Sequence, residues 1–135
     1  MHLDGGCLCG DVRYVIDGEP STEESPCLCH CRICQRSSGA PLVAWATFRQ
    51  EDVKFVQGEP KTYQSSATGV RRFCGRCGTQ LLFQTVGTPV LDITIASLDM
   101  PDVLQPEAHI WTESKRSYMG TEDLPCFPER RPMES

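Results

Sequence analysis

The 135-residue chain is long enough for one domain with a core and too short for two. Its 18 acidic and 13 basic residues give a formal net charge of -5, which provides no broad field for a phosphate backbone and argues against a nucleic-acid partner. Leu, Ile, Val and Phe number 29, close to the level at which apolar burial alone stops holding a domain, and nine cysteines offer a supplement.

The first stretch, MHLDGGCLCG, has neither a basic start with an apolar run nor a cleavage-site pattern, so no signal peptide is expected. No run approaches the roughly 18 apolar residues of a membrane span. The expectation is a cytoplasmic chain whose thiols stay reduced and act as metal ligands or catalytic groups. Nine is also odd, so internal disulfide pairing could not be complete. The first expected strand is Val12 to Ile16, ending at Asp17-Gly18. Arg32 to Ser37 reads as a short helical turn, stopped by Ser38-Gly39-Ala40-Pro41. Further strands are expected at residues 43–48, 53–56, 61–64, 70–74, 80–84, 91–96 and 107–111. After Asp123, LPCFPERRPMES has three prolines and no periodicity, and reads as a tail that packs briefly and then frays. The expectation is one domain over 1–123 with a tail at 124–135, and a mostly β fold class built of several short sheets with one helical turn.

The cysteines divide by spacing. CGRCGT, at Cys74 to Thr79, has the form of a zinc knuckle, with Gly75 and Gly78 allowing the turn and letting backbone N–H groups approach sulfur. CLCGDV offers Cys7 and Cys9 on one face of an extended segment. Each pair is half of a tetrahedral site, and Cys7, Cys9, Cys74 and Cys77 together make one closed structural zinc. Cys29, Cys31 and Cys34 form a C-x-C-x-x-C set able to place three thiolates on a second ion, with a fourth position open, the pattern of a catalytic zinc. Cys27 precedes it. In an extended segment Cys27, Cys29 and Cys31 point the same way, and Cys27 could close the tetrahedron as a fourth ligand. Against that, strict alternation spreads the three over about 13 Å while Zn–S bonds are near 2.3 Å, which favours Cys27 as an ordinary buried strand cysteine.

The segments GGCLCGDVRY, CHCRICQRSSGAP, YQSS followed by RRFCGRCGTQL, IASLDMPD and HIWTESKRSY resemble, in this order, the glutathione-dependent formaldehyde-activating enzyme family, which includes centromere protein V-like proteins. The resemblance runs from about Gly5 to Leu124. It implies a zinc-bearing β fold of coiled antiparallel sheets, like a β-tent. It matches Cys7, Cys9, Cys74 and Cys77 to structural zinc ligands and Cys29, Cys31 and Cys34 to catalytic ones. The implied activity is the condensation of formaldehyde with glutathione to S-hydroxymethylglutathione, a carbon–sulfur lyase reaction in reverse. Tyr118 stands where the pattern leads one to expect a tryptophan.

Three thiolates on a divalent zinc leave a formal charge of -1, a weaker Lewis acid than a three-histidine site but one that welcomes a soft fourth ligand such as a substrate thiolate. Arg32 and Arg36 are placed to offset thiolate charge or receive a glutathione carboxylate. Ser38 and Gly39 are candidates for a pocket wall, or else a plain helix C-terminal turn. His30 is expected to face away from the ligands in a packing role. Asp99 and His109 have no evident aim at the metal, Arg71 and Arg72 read as strand surface, and Cys126 as accessory. The expectation is two zinc ions and a thiol substrate, most simply glutathione. Two other classes share these features: a non-catalytic zinc-stabilised binding module, whose mark is a filled second site, and a zinc-ribbon nucleic-acid binder, which the charge disfavours.

Overall fold

The computed structural model describes residues 1–24 and 26–132. Ten strands and one α-helix form among the described residues. In chain order they are β1 (His2–Gly6), β2 (Arg13–Asp17), β3 (Cys27–Cys29), α1 (Arg32–Ser38), β4 (Val43–Arg49) and β5 (Val53–Gln57). There follow β6 (Lys61–Gln64), β7 (Gly69–Phe73), β8 (Gln80–Thr85), β9 (Val90–Thr94) and β10 (Ala108–Ile110). The protein is mostly strand, as its composition and turn punctuation lead one to expect. Among the described residues no helix is long and apolar enough to cross a membrane.

The strands divide into a three-stranded sheet, β1-β2-β5, and a seven-stranded sheet ordered β10-β3-β4-β9-β8-β7-β6. All neighbours are antiparallel except β10 and β3, which run parallel. β1 is absent from the strands expected above. It forms because it pairs with β2 along its whole length and buries Leu3. Gly5 is required there: a Cβ would stand 2.4 Å from the Tyr14 ring.

In β2 the alternation buries Tyr14 and Ile16 and leaves Arg13, Val15 and Asp17 more open, the period of a sheet with one covered face. β4 is different. Its four central residues, Trp45 to Phe48, are all buried, so both of its faces are covered. On one face Ala46 and Phe48 join Ile93, Leu91 and Leu82 in the main core under the small sheet, with Leu3, Tyr14 and Ile16 opposite. Full burial of side chains such as Phe48 or Ile16 contributes about 1.5–3 kcal/mol each. The other face carries Trp45 and Thr47, and Trp45 packs in a smaller cluster apart from the main core.

Register fixes what shares that second face. Thr47 pairs with Asp92, Asp92 with Phe83, Phe83 with Arg71 and Arg71 with Tyr63. These five residues form one row across five strands. Cys27 pairs with Trp45 and Cys29 with Val43, which brings the cysteine strand to the same face. A smaller cluster of Cys29, Cys34 and Trp45 packs here, flanked by Phe83, Ile110 and Trp111. The segment after Asp123 does not stand clear of the domain. It runs along β10, with His109 N–H donating to the Pro125 carbonyl, Phe127 N–H to that of His109 and Trp111 N–H to that of Glu129.

Candidate metal centres and active site

The first cysteine group is built from two hairpin turns. Cys7 and Cys9 lie in the turn between β1 and β2, not on an extended segment as the spacing suggests, with Gly10 N–H donating to the Cys7 carbonyl at 3.2 Å. Cys74 and Cys77 lie in the β7–β8 turn, which Gly78 closes at φ 83°. Their four sulfurs all fall within 4.8 Å of one another. One turn belongs to the small sheet and the other to the large one, so a cation held here would tie the two sheets together.

Backbone N–H groups are aimed at these sulfurs. Val12 donates to Cys7 at 3.2 Å, and Arg76 and Cys77 both donate to Cys74 at 3.4 Å. The Thr79 hydroxyl and N–H, with the N–H of Cys9, pull the Cys77 thiol down to about 5. Cys9 is pushed up to about 12: the Asp11 N–H opposes the shift, but burial and the other three thiols outweigh it. Four crowded sulfurs thus share negative charge unevenly, and a divalent cation among them would relieve the crowding. The donor set fits zinc.

The second group is assembled at the junction of β3 and α1. Cys29 ends the strand, Cys31 caps the helix and Cys34 lies within its first turn. The Cys31 sulfur accepts the Cys34 N–H at 3.3 Å, acting as a helix N-cap in place of the usual oxygen. The three sulfurs lie within 4.8 Å of one another, and Cys27 does not belong to the group. Burial first, then the charges of Asp92, Cys34 and Glu24, push the Cys27 thiol up to about 12, so it stays protonated. Cys31 is pulled down to about 2 by hydrogen bonds from Cys29 and Cys34, the Cys34 N–H and the Arg71 charge, against the opposing effect of burial. Cys29 is pushed up by those same two neighbours and by burial. Three sulfurs, one already favoured as thiolate, fit a soft divalent ion that keeps a further position.

This second group, unlike the first, opens on a cavity of about 570 Å³. Cys29, Cys31 and Cys34 line it with Trp45, Phe83, Ile110 and Trp111. Trp111 takes the left-handed conformation at φ 57°, costly for an aromatic residue, beside the ring wall it contributes to. Arg71 is the main correction to the sequence reading. It is 6% exposed, not strand surface. Its guanidinium lies 5.0 Å from the Phe83 centroid and 6.0 Å from that of Trp45. It donates to Ser37 Oγ at 3.1 Å and to Cys34 Sγ at 3.8 Å. Its Nε has no partner among the described residues.

The remaining sequence candidates fall as follows. Arg32 is exposed on the cavity rim and donates to Gln35 Oε1. Arg36 is exposed and lines a neighbouring hollow of about 600 Å³ that shares Arg71. Ser38 and Gly39 line neither cavity. The Ser38 hydroxyl donates to the Cys34 carbonyl at 2.7 Å, and Gly39 adopts φ 70° to end α1, so the two form the helix C-terminal turn. His30 is fully buried on the side away from the sulfurs, its Nε2 2.8 Å from His109 Nδ1, and His109 Nε2 stands 2.9 Å from Asp123. Asp99 forms a two-pronged pair with Arg13 and belongs to neither cysteine group. Cys126 is exposed and Tyr118 is 73% exposed, outside both cavity linings. Gln35 was not foreseen. Its amide bonds the His30 carbonyl at 2.6 Å and the Ser114 carbonyl at 2.9 Å, bracing the cysteine loop.

The described residues thus hold two clusters of cysteines, one of four sulfurs and one of three facing a cavity. Residues 2–114 match the family described as "Glutathione-dependent formaldehyde-activating enzyme". The chain belongs to this family. It is 30% identical over 132 residues to a Halomonas elongata protein named "Putative glutathione-dependent formaldehyde-activating enzyme", an alignment covering 90% of this chain and 82% of that one. It is also similar to a crystal structure of a Rhodobacter sphaeroides protein from a structural genomics programme, with TM-score 0.59 and 26% identity over 72% of this chain and 88% of the other. The family is one of enzymes, and its name gives glutathione and formaldehyde as the small molecules concerned.

Proposed function

We propose that the protein joins formaldehyde to the thiol of glutathione, or of a close relative, to give the S-hydroxymethyl adduct, with a structural zinc on Cys7, Cys9, Cys74 and Cys77 and a catalytic zinc on Cys29, Cys31 and Cys34. The observation that carries this reading is the asymmetry of the two cysteine groups: the four-sulfur set lines no part of the 570 Å³ cavity, while the three-sulfur set forms its wall. When bound, the second zinc would supply Lewis acidity and an affinity for a soft sulfur donor at neutral pH. The chain's own residues do the rest.

Arg71, 3.8 Å from Cys34 Sγ, offsets the negative charge gathered by three thiolates and leaves the cavity less repellent to an incoming anionic thiol. Trp45, Phe83, Ile110 and Trp111 exclude water around the reacting atoms and strengthen each polar contact there. Arg32 on the rim is placed to meet a carboxylate. In the reaction the substrate sulfur forms a bond to the carbonyl carbon, the carbonyl π pair moves to oxygen, and that oxygen takes up the proton the thiol gives up. Atoms and electrons balance without any oxidant. Holding the thiol and the aldehyde together supplies much of the rate gain.

The test uses protein carrying cobalt in both groups. Glutathione is expected to intensify the sulfur-to-cobalt charge-transfer absorption, and S-methylglutathione to leave it unchanged. Adduct formation followed by NMR is expected to exceed the uncatalysed rate, and Cys31→Ala to abolish the excess. A spectrum indifferent to millimolar glutathione refutes the thiol reading, and a response with no rate gain removes the formaldehyde step.

A further inference from the structure

The cavity is lined by charged groups that the chemistry above does not use, among them Glu24, Asp92, Arg130 and Arg131. Asp92 lies on its wall, two strands from Arg71 in the row Thr47–Asp92–Phe83–Arg71. Neighbouring strands are about 4.8 Å apart, so the acid and the base are separated by roughly 10 Å with the Phe83 ring between them. The Asp92 carboxylate accepts from the Thr47 hydroxyl, and Glu24 Oε2 stands 3.4 Å from that same hydroxyl. Asp92 has no cationic partner among the described ion pairs.

Two independent features point to a ligand here. The acid is partly buried in the cavity wall, and burial first, with the Glu24 charge adding and the Thr47 hydroxyl opposing, pushes its carboxyl up to about 6. Across the same cavity the deeply buried Arg71 keeps its Nε without a partner. A cavity that sets a guanidinium beside the thiolates and a carboxylate at the far end of one aromatic row is complementary to an amphoteric molecule: anionic near its sulfur, cationic at its other end.

The geometry points to Asp92, braced by Thr47 and seconded by Glu24, as the group that receives the free amino group of an amino-acid thiol while its sulfur lies at the Cys29–Cys31–Cys34 end. Asp92 would thus be the residue that selects γ-glutamyl or other amine-bearing thiols over simple thiols. From sulfur to amine a γ-glutamyl thiol spans roughly 8–10 Å when extended, comparable to the two-strand separation of Asp92 from Arg71, whose guanidinium contacts Cys34 Sγ. Placing the ammonium beside Asp92 would also set a cation directly against a carboxylate that makes no ion pair among the described residues, although Arg130 and Arg131 line the same cavity.

This inference rests on the thiol reading of the site, and one experiment separates the two. Metal-loaded protein is titrated with glutathione and with its des-amino analogue, glutaryl-cysteinylglycine, which differs only by hydrogen in place of the amine. The wild type is expected to prefer glutathione by on the order of 10- to 100-fold, the size of a charge-assisted contact in an enclosed site. Asp92→Asn, a neutral replacement of the same shape, is expected to bring the two affinities within about 3-fold by weakening glutathione alone. Equal affinities in the wild type overturn the inference before any variant is made, as does a preference that survives in Asp92→Asn. Failure of both thiols to bind the wild type would take down the thiol reading and this inference together.

Discussion

Replacing Arg71 by glutamine tests how the second cysteine group is held. The change removes a positive charge 3.8 Å from Cys34 Sγ and 5.0 Å from the Phe83 centroid while keeping an amide able to reach Ser37. At an effective dielectric of about 20, a unit pair at that distance interacts by about 4 kcal/mol, and the desolvation of a buried guanidinium takes back part of it. A hydrogen bond to a charged group is worth a net 1.5–3 kcal/mol or so, which converts to roughly 10- to 150-fold. Without Arg71, three thiolates with a net charge of -1 around a divalent ion lose the guanidinium that contacts one of their sulfurs. Arg71→Gln is therefore expected to weaken metal binding at Cys29, Cys31 and Cys34 by about one to two orders of magnitude. The four-cysteine group should not change, because Arg71 makes no contact with it. Chelator competition with cobalt-loaded protein reads the two sites separately, and Arg71→Lys should recover part of the loss by restoring charge without the fork. Second-site affinity within about 3-fold of wild type in Arg71→Gln would refute the charge argument and leave Arg71 as a packing residue.

Two further outcomes follow from the arrangement. Cys74→Ala is expected to yield unfolded or insoluble chain, since a structural zinc contributes on the order of 10–16 kcal/mol against a domain stability of about 5–15 kcal/mol, whereas Cys31→Ala should stay folded by circular dichroism and lose one metal ion per chain; equal damage from both would overturn the division of roles. Asp92 gives a pH signature: burial lifts its folded-state carboxyl from 3.8 to about 6, with Glu24 adding and Thr47 opposing. A raised carboxyl favours the folded state most at pH below about 4 and loses that contribution as pH rises through about 6, so Asp92→Asn should be more stable than wild type at pH 8 by on the order of 2–3 kcal/mol and nearly equal at pH 4. Urea unfolding of both proteins across that range reads the difference, and a gap independent of pH would show that Asp92 is solvated like an ordinary surface acid.

The cysteine motifs were legible in the chain because they are local. Cys74 to Cys77 is one turn, and Cys29 to Cys34 one strand-to-helix junction, so spacing alone limits where each sulfur can go. Strand positions were legible for the same reason, and Lys61–Gln64 forms where its punctuation places it. β1 was not, because its stability comes from pairing with β2 and from Tyr14 filling the space over Gly5, neither of which a pentapeptide HLDGG displays. Arg71 and Asp92 show the deeper limit. On their own strands each looks like a polar residue free to face water, and nothing within five residues marks it otherwise. Their burial depends on which strands become neighbours and in what register, since a one-residue slip would turn each to the other face. The sequence by itself determined that sulfurs able to hold a metal would exist and how they would group. Only the tertiary structure decided that one group would face a cavity, with a cation beside the sulfurs and an acid across an aromatic ring, because that arrangement is the product of five paired strands and not of any single segment.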